Sequence, residues 1–158
     1  MKDIKTYIRE SILDDIDDQI ENTDEMIKKS VTKWIMKNTL NATNRHKLDF
    51  DLSTTPMTVN CHATVYIKEK ATSLTNGAFQ WGKIHGDFDC VDCNIFTLEG
   101  GPQYVGGDFD CAGCKNLKSL EGAPKEVRYD FYCYGCHTKF TEDDVKKLCN
   151  VRGTIHCK

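Results

Sequence analysis

Apolar and polar residues alternate in short bursts along the second half of the chain, and the bursts recur. Ile84, Gly86, Phe88 and Cys90 fall on one side of an extended stretch, and His85, Asp87 and Asp89 on the other. A period of two is strand behaviour. The pattern returns with Val105, Phe109 and Cys111, with Val127, Phe131 and Cys133, and with Val151, Ile155 and Cys157, at steps of 21, 22 and 24 residues. A degenerate copy lies upstream, where Cys61 leads to Val65 and Ile67. Between bursts, Leu98-Glu99-Gly100-Gly101-Pro102 and Leu120-Glu121-Gly122-Ala123-Pro124 turn the chain back, because glycine permits the required backbone angles and proline pre-sets one. Such a period predicts a solenoid. One coil cannot bury its own apolar face, but stacked coils can. The expected stack puts Phe88, Phe109, Phe131 and Ile155 in one inward column, the first cysteine of each copy in a second, and Leu98 and Leu120 in a third.

The first part of the chain has a different period. Ile4, Ile8, Ile12, Ile16 and Ile20 recur every four positions, which predicts a helix over 3–20, and seven acids follow between Asp14 and Glu25. Thr23, with Asp24 and Glu25 behind it, reads as the N-cap of a second helix that carries Ile27, Val31, Trp34 and Ile35 on its apolar stripe. These four residues are expected to cap the open end of the stack. Residues 41–47 read as a linker. Leu48–Leu52 and Met57–Val59 read as extended, and residues 75–83, with Phe79 and Trp81, as an insertion packed over the coil edge. Thr141 followed by three acids predicts a short helix through Leu148 and Cys149.

The run Phe109-x-Cys111-x-x-Cys114-x-x-Leu117-x-x-Leu120, with Pro124 in the return, resembles the leucine-rich repeat family in its short bacterial form, with Phe and Cys in place of the strand leucines. The phrase Leu-Glu-Gly-Ala-Pro-Lys-Glu-Val at 120–127 and the opening at residues 1–8 resemble uncharacterised repeat proteins of gut-bacterial phages. The resemblance implies an α+β fold, a parallel-strand leucine-rich-repeat-like solenoid of about five coils over 46–158 with an N-terminal helical region over 1–45. It also implies a cytoplasmic setting in a bacterial host cell. The virion is the alternative, because residues 1–12 resemble the openings of phage proteins directed into capsids.

Charge and composition narrow the function. A formal net charge of -3 argues against the nucleic-acid backbone as a partner, and the absence of a long apolar run argues against a membrane span. The N-terminus lacks the unbroken apolar core of a secretory signal. Nine cysteines are present, and Cys90-x-x-Cys93, Cys111-x-x-Cys114 and Cys133-x-x-Cys136 formally fit a zinc site. The same spacing follows from the repeat unaided, so packing, zinc and redox chemistry all stay open, with packing favoured and no cofactor or metal assigned. No nucleophile or metal-protease motif surrounds any of the five histidines, and no catalytic residue is assigned.

The outward strand positions carry the remaining signal. Asp87, Asp108 and Asp130 are expected to form one column, and Asp89, Asp110, Tyr132 and His156 the next. Strands lie about 4.8 Å apart, and carboxylates that close repel by roughly 1 kcal/mol per pair even in water. Stability does not call for Asp at these places on the repeat alone, which leaves solubility or a cationic ligand as the reason. In leucine-rich repeats this strand face is the usual binding face. The reading is therefore a non-enzymatic interaction module. Asp87, Asp89, Asp108, Asp110 and Asp130 would meet a basic protein or peptide, with Tyr132 as an aromatic anchor. The alternatives are a structural or packaged virion protein and a zinc-binding module. The pattern does not indicate an oligomeric state.

Overall fold

The computed structural model describes residues 4–40 and 47–158, with side chains from 16 onward except at 18. The fold is α+β: a parallel-strand solenoid of about five turns with one N-terminal helix. The helix, α1, spans Ile4–Asn38. The solenoid strands are β1 Leu48–Asp51, β2 Met57–Cys61, β3 Val65–Tyr66, β4 Phe79–Ile84, β5 Phe88–Asp89, β6 Tyr104–Val105, β7 Phe109–Asp110, β8 Glu126–Val127, β9 Phe131–Tyr132, β10 Asn150–Val151 and β11 Ile155–His156, with α2 at Glu142–Lys146. One sheet runs β1-β2-β4-β6-β8-β10 and the other β3-β5-β7-β9-β11. All neighbours are parallel except β1, which folds back antiparallel on β2.

Each coil therefore holds two short strands where the alternation suggested one continuous strand. The chain bends at 85–87 and at the matching places in later coils. Crowding at this corner dictates its residues. A Cβ on Gly86 would lie 2.5 Å from the Thr64 amide nitrogen, and one on Gly106 would lie 2.5 Å from the His85 carbonyl oxygen. The expected register holds on both sides of the corner. Ile84, Val105 and Val127 are aligned, and Val65, Phe88, Phe109, Phe131 and Ile155 are aligned.

The core is a column of rings between the sheets. Phe88 and Phe109 stack at 5.8 Å, and Phe109 and Phe131 follow at 4.9 Å. The column extends upward through Trp81 and Phe79, which meet edge to face at 5.3 Å. These two are fully buried residues of β4. They are not an insertion over the coil edge, because the Trp81 indole can be buried once its N–H donates to the Leu74 carbonyl at 2.9 Å. The first-copy cysteines Cys90 and Cys111 and the return leucines Leu98, Leu117 and Leu120 complete the interior.

The N-terminal region is one helix, not two. Thr23 does not cap; its hydroxyl donates to the Gln19 carbonyl one turn back at 2.8 Å, a bond that lets Thr sit inside a helix. No Gly or Pro interrupts Ile4–Asn38. The last turns of α1 cover the first coil. Val31 and Ile35 are buried, Ile27 and Trp34 pack beside them, and the Trp34 ring meets Phe79 at 5.4 Å. Backbone bonds fasten this end, from Leu40 N–H to the Tyr66 carbonyl at 2.9 Å and from Lys68 N–H to the Asn38 carbonyl at 2.8 Å. Of the linker expected at 41–47, residues 41–46 lie outside the described residues. At the far end α2 begins at the expected place, with Thr141 and Asp144 forming a reciprocal capping box, and it stops at Lys146, short of Leu148.

Truncation of a ring in this column leaves a hole that both neighbours line. Phe109→Ala is expected to cost about 3–5 kcal/mol, read as a lowered urea midpoint. An unchanged midpoint in a folded variant would contradict the stacked core.

Candidate functional site: the acidic strand face

The corner explains half of the acidic face. Where the chain bends between sheets, the carbonyls of Asp87, Asp108, Asp130 and Thr154 accept bonds from the coil before, through the amides of Val65, Phe88, Phe109 and Phe131. The amides at these same four positions meet no carbonyl of the neighbouring coil, and a side chain takes each of them. Thr64 Oγ1 accepts from Asp87 N–H at 3.2 Å, and Asp87 Oδ1 from Asp108 N–H at 2.9 Å. Asp108 Oδ1 accepts from Asp130 N–H at 2.8 Å, and Asp130 Oδ1 from Thr154 N–H at 2.8 Å. Asp87, Asp108 and Asp130 do form a column, but it is a ladder of side-chain caps, each holding the amide of the next coil. The expectation that the fold has no use for Asp at these places is corrected by this geometry. A buried or half-buried amide left without a partner costs about 1–3 kcal/mol, and a short side chain with an acceptor oxygen removes that cost.

The second column is different. Asp89 and Asp110 are directly opposed on β5 and β7, with Tyr132 and His156 next in line. Each Asp spends one oxygen locally, Asp89 Oδ1 on Val91 N–H at 3.0 Å and Asp110 Oδ1 on Ala112 N–H at 2.9 Å. These bonds fix the turn that follows each strand and stay within one coil. A further carboxylate joins them that the repeat pattern did not single out. Asp92 sits at φ 54°, where the later coils place Gly113 and Gly135 at φ 72° and 68°. That equivalence was the available signal, since Asp is among the few residues other than Gly that enter this region readily.

The electrostatics follow from this crowding. Burial pushes the Asp110 carboxyl above its ordinary range, and the charges of Asp89, Asp108 and Asp92 push it further the same way. Among the described residues, none of Asp87, Asp89, Asp92, Asp108 and Asp110 forms an ion pair. At the other end of the face the balance reverses. Asp130 is held below the ordinary carboxylate range, chiefly by the Thr154 amide, with His156 and the Tyr132 hydroxyl adding to it. Its Oδ2 accepts from Tyr132 Oη at 3.2 Å and lies 3.4 Å from His156 Nε2. The Tyr132 ring stacks on His156 at 4.5 Å, nearly parallel. Tyr132 is thus a half-buried platform with one face taken.

The cysteine pairs are turned to the backbone. Cys114 Sγ approaches the Cys90 carbonyl and Cys136 Sγ the Cys111 carbonyl, both at 3.1 Å, and Cys93 Sγ approaches the Lys68 carbonyl at 3.3 Å. Burial holds the Cys93 thiol up at about 12. Among the described residues no three or more His, Cys, Asp or Glu side chains are grouped to hold a metal ion, and no helix is long and apolar enough to cross a membrane. Compared with known family models, curated proteins and solved structures, the chain matches none.

Substitutions at two positions separate the columns. Asp108→Ala removes the cap on Asp130 N–H and is expected to cost about 1–3 kcal/mol, whereas Asp108→Asn keeps an acceptor oxygen and is expected to cost less. Asp110→Asn is expected to stabilise the fold at neutral pH. A carboxyl whose folded pKa is raised destabilises the folded state while ionised, and that penalty fades as pH falls through the raised value. Urea midpoints at neutral and acidic pH measure both effects. Equal loss for the two Asp108 variants, or a pH-independent effect at Asp110, would contradict the assignment.

Proposed function

We propose that the chain is a non-enzymatic interaction module whose acidic strand face binds a basic protein or peptide segment. What carries the reading is the group of carboxylates without an ion pair at Asp89, Asp92, Asp108 and Asp110, with Asp89 and Asp110 directly opposed; burial raises Asp110, and the neighbouring charges add to the rise. A cation placed against them relieves repulsion that the fold itself leaves standing. Asp89 and Asp110 are the contact charges, because their geometry serves only their own turns. Asp87, Asp108 and Asp130 add field while holding the corner. Tyr132, with His156 behind it, ends the face with an aromatic surface suited to the alkyl part of a lysine or to an arginine plane. On the resemblance to phage repeat proteins, the setting is the cytoplasm of an infected bacterium.

Such a face speeds encounter with a basic partner, and the attraction weakens as salt rises. A fluorescent oligolysine peptide titrated at low ionic strength is expected to bind the parent protein, with affinity falling on added salt. Replacing Asp89 and Asp110 together by Asn preserves both turn bonds and removes two charges. The loss is expected to be about tenfold, on the order of 1 kcal/mol per exposed charge pair or slightly less. Equal affinity in the double variant would overturn the site assignment.

A further inference from the structure

The last two turns of the solenoid bring two sulfurs together. Cys133 directly follows β9 and Cys157 directly follows β11, and these strands pair with Phe131 opposite Ile155 and Tyr132 opposite His156. The Cys133 amide donates to the His156 carbonyl at 2.9 Å, and the two Sγ atoms stand 3.1 Å apart. Earlier in the same column the strand thiols are turned to carbonyl oxygens, Cys90 Sγ 3.3 Å from Asp110 O and Cys111 Sγ 3.3 Å from Tyr132 O, and they also meet the thiols of Cys114 and Cys136. We propose that Cys133 and Cys157 form an oxidation site, closing to a disulfide when the protein meets a peroxide.

The geometry permits closure with little movement. Neighbouring strands lie about 4.8 Å apart, inside the Cα separation that a disulfide tolerates, and the sulfurs need to approach by about 1 Å. Access sets the order of events. Cys133 is 1% exposed, whereas Cys157 is half-buried, so Cys157 meets a small oxidant first. Its sulfur attacks one peroxide oxygen, the O–O bond breaks, and water leaves, giving a sulfenic acid. The Cys133 sulfur then attacks the sulfenyl sulfur. The S–S bond forms, the S–O bond breaks, and the departing hydroxyl takes the Cys133 proton as a second water. Two thiols are oxidised by two electrons and one peroxide is reduced. Burial holds the Cys133 thiol well above its ordinary range, which slows its direct oxidation, and the attack on the sulfenyl sulfur relies on the contact with Cys157 Sγ.

The bond would staple one complete turn. The chain between the two cysteines contains α2 and β10, and its end carries His156, whose ring covers Tyr132. Oxidation therefore fastens the last strand and fixes the aromatic end of the acidic face.

The test uses the reduced chain of residues 1–158. It is treated with hydrogen peroxide, the peroxide is removed, remaining thiols are blocked with iodoacetamide in denaturant so that the buried ones are reached, and the digest is mapped by mass spectrometry without reduction. The expected result is a Cys133–Cys157 linked peptide, short of two hydrogens, with the other cysteines alkylated. The thermal midpoint of the oxidised protein is expected to rise by about 6–10 °C, and Cys157→Ser is expected to abolish both changes. Recovery of Cys157 as sulfinic acid or in an intermolecular bond, with Cys133 alkylated, would overturn the proposal. So would a link from Cys133 to Cys136, or a Cys111–Cys136 link formed in place of Cys133–Cys157. The mapping needs no variant, so a destabilised substitution leaves the test intact.

Discussion

From the second coil onward the solenoid bends between two sheets, and each bend presents an amide that no carbonyl of the coil before it reaches. The structure depends on how that amide is satisfied. An Asp or Thr side chain from the coil before takes it, from Thr64 through Asp87, Asp108 and Asp130 to Thr154. The corner also sets the glycine at 86, because a Cβ there would collide with the backbone of the adjacent coil. With the corner fixed, the two strands of each coil fall into register with their neighbours, and the rings of Phe88, Phe109 and Phe131 can stack.

This use of Asp has an electrostatic consequence. A carboxylate accepts a backbone amide more strongly than a neutral group does, but repeating it at every coil lines charges along one surface. Asp89, Asp92 and Asp110 enlarge the surplus without contributing to the ladder between coils. At the far end the Tyr132 hydroxyl donates to Asp130 and the His156 ring lies beside it, and the middle is left uncompensated. The proposed binding face is the uncompensated part. The thiol pair at Cys133 and Cys157 lies beside the compensated part, at the last strand.

The inward half of the fold was legible in the sequence, because apolar residues recurring at a fixed step must stack to be buried. The aligned ring column, the degenerate first copy at Cys61 and Val65, and the capping box at Thr141 all follow from patterns within one coil. What was hidden depended on neighbours. Thr23 carries the local signature of an N-cap, yet in an unbroken helical run its hydroxyl is satisfied by Gln19 and the helix continues. Phe79 and Trp81 sit outside the repeat phrase, and burial of the indole required the Leu74 carbonyl, seven residues away. The ladder role of Asp87, Asp108 and Asp130 left a trace that alternation alone does not expose: every copy, including Thr64 and Thr154 at the ends, has a short acceptor side chain immediately before its inward apolar residue.

Site-resolved amide hydrogen exchange tests the corner ladder most directly. The amides of Asp108, Asp130 and Thr154 are predicted to exchange as slowly as those of Phe109 and Phe131 in the adjoining strands, because their side-chain acceptors open only when coils separate. Exchange at these three amides as fast as in exposed turns, with Phe109 and Phe131 still protected, would contradict the account.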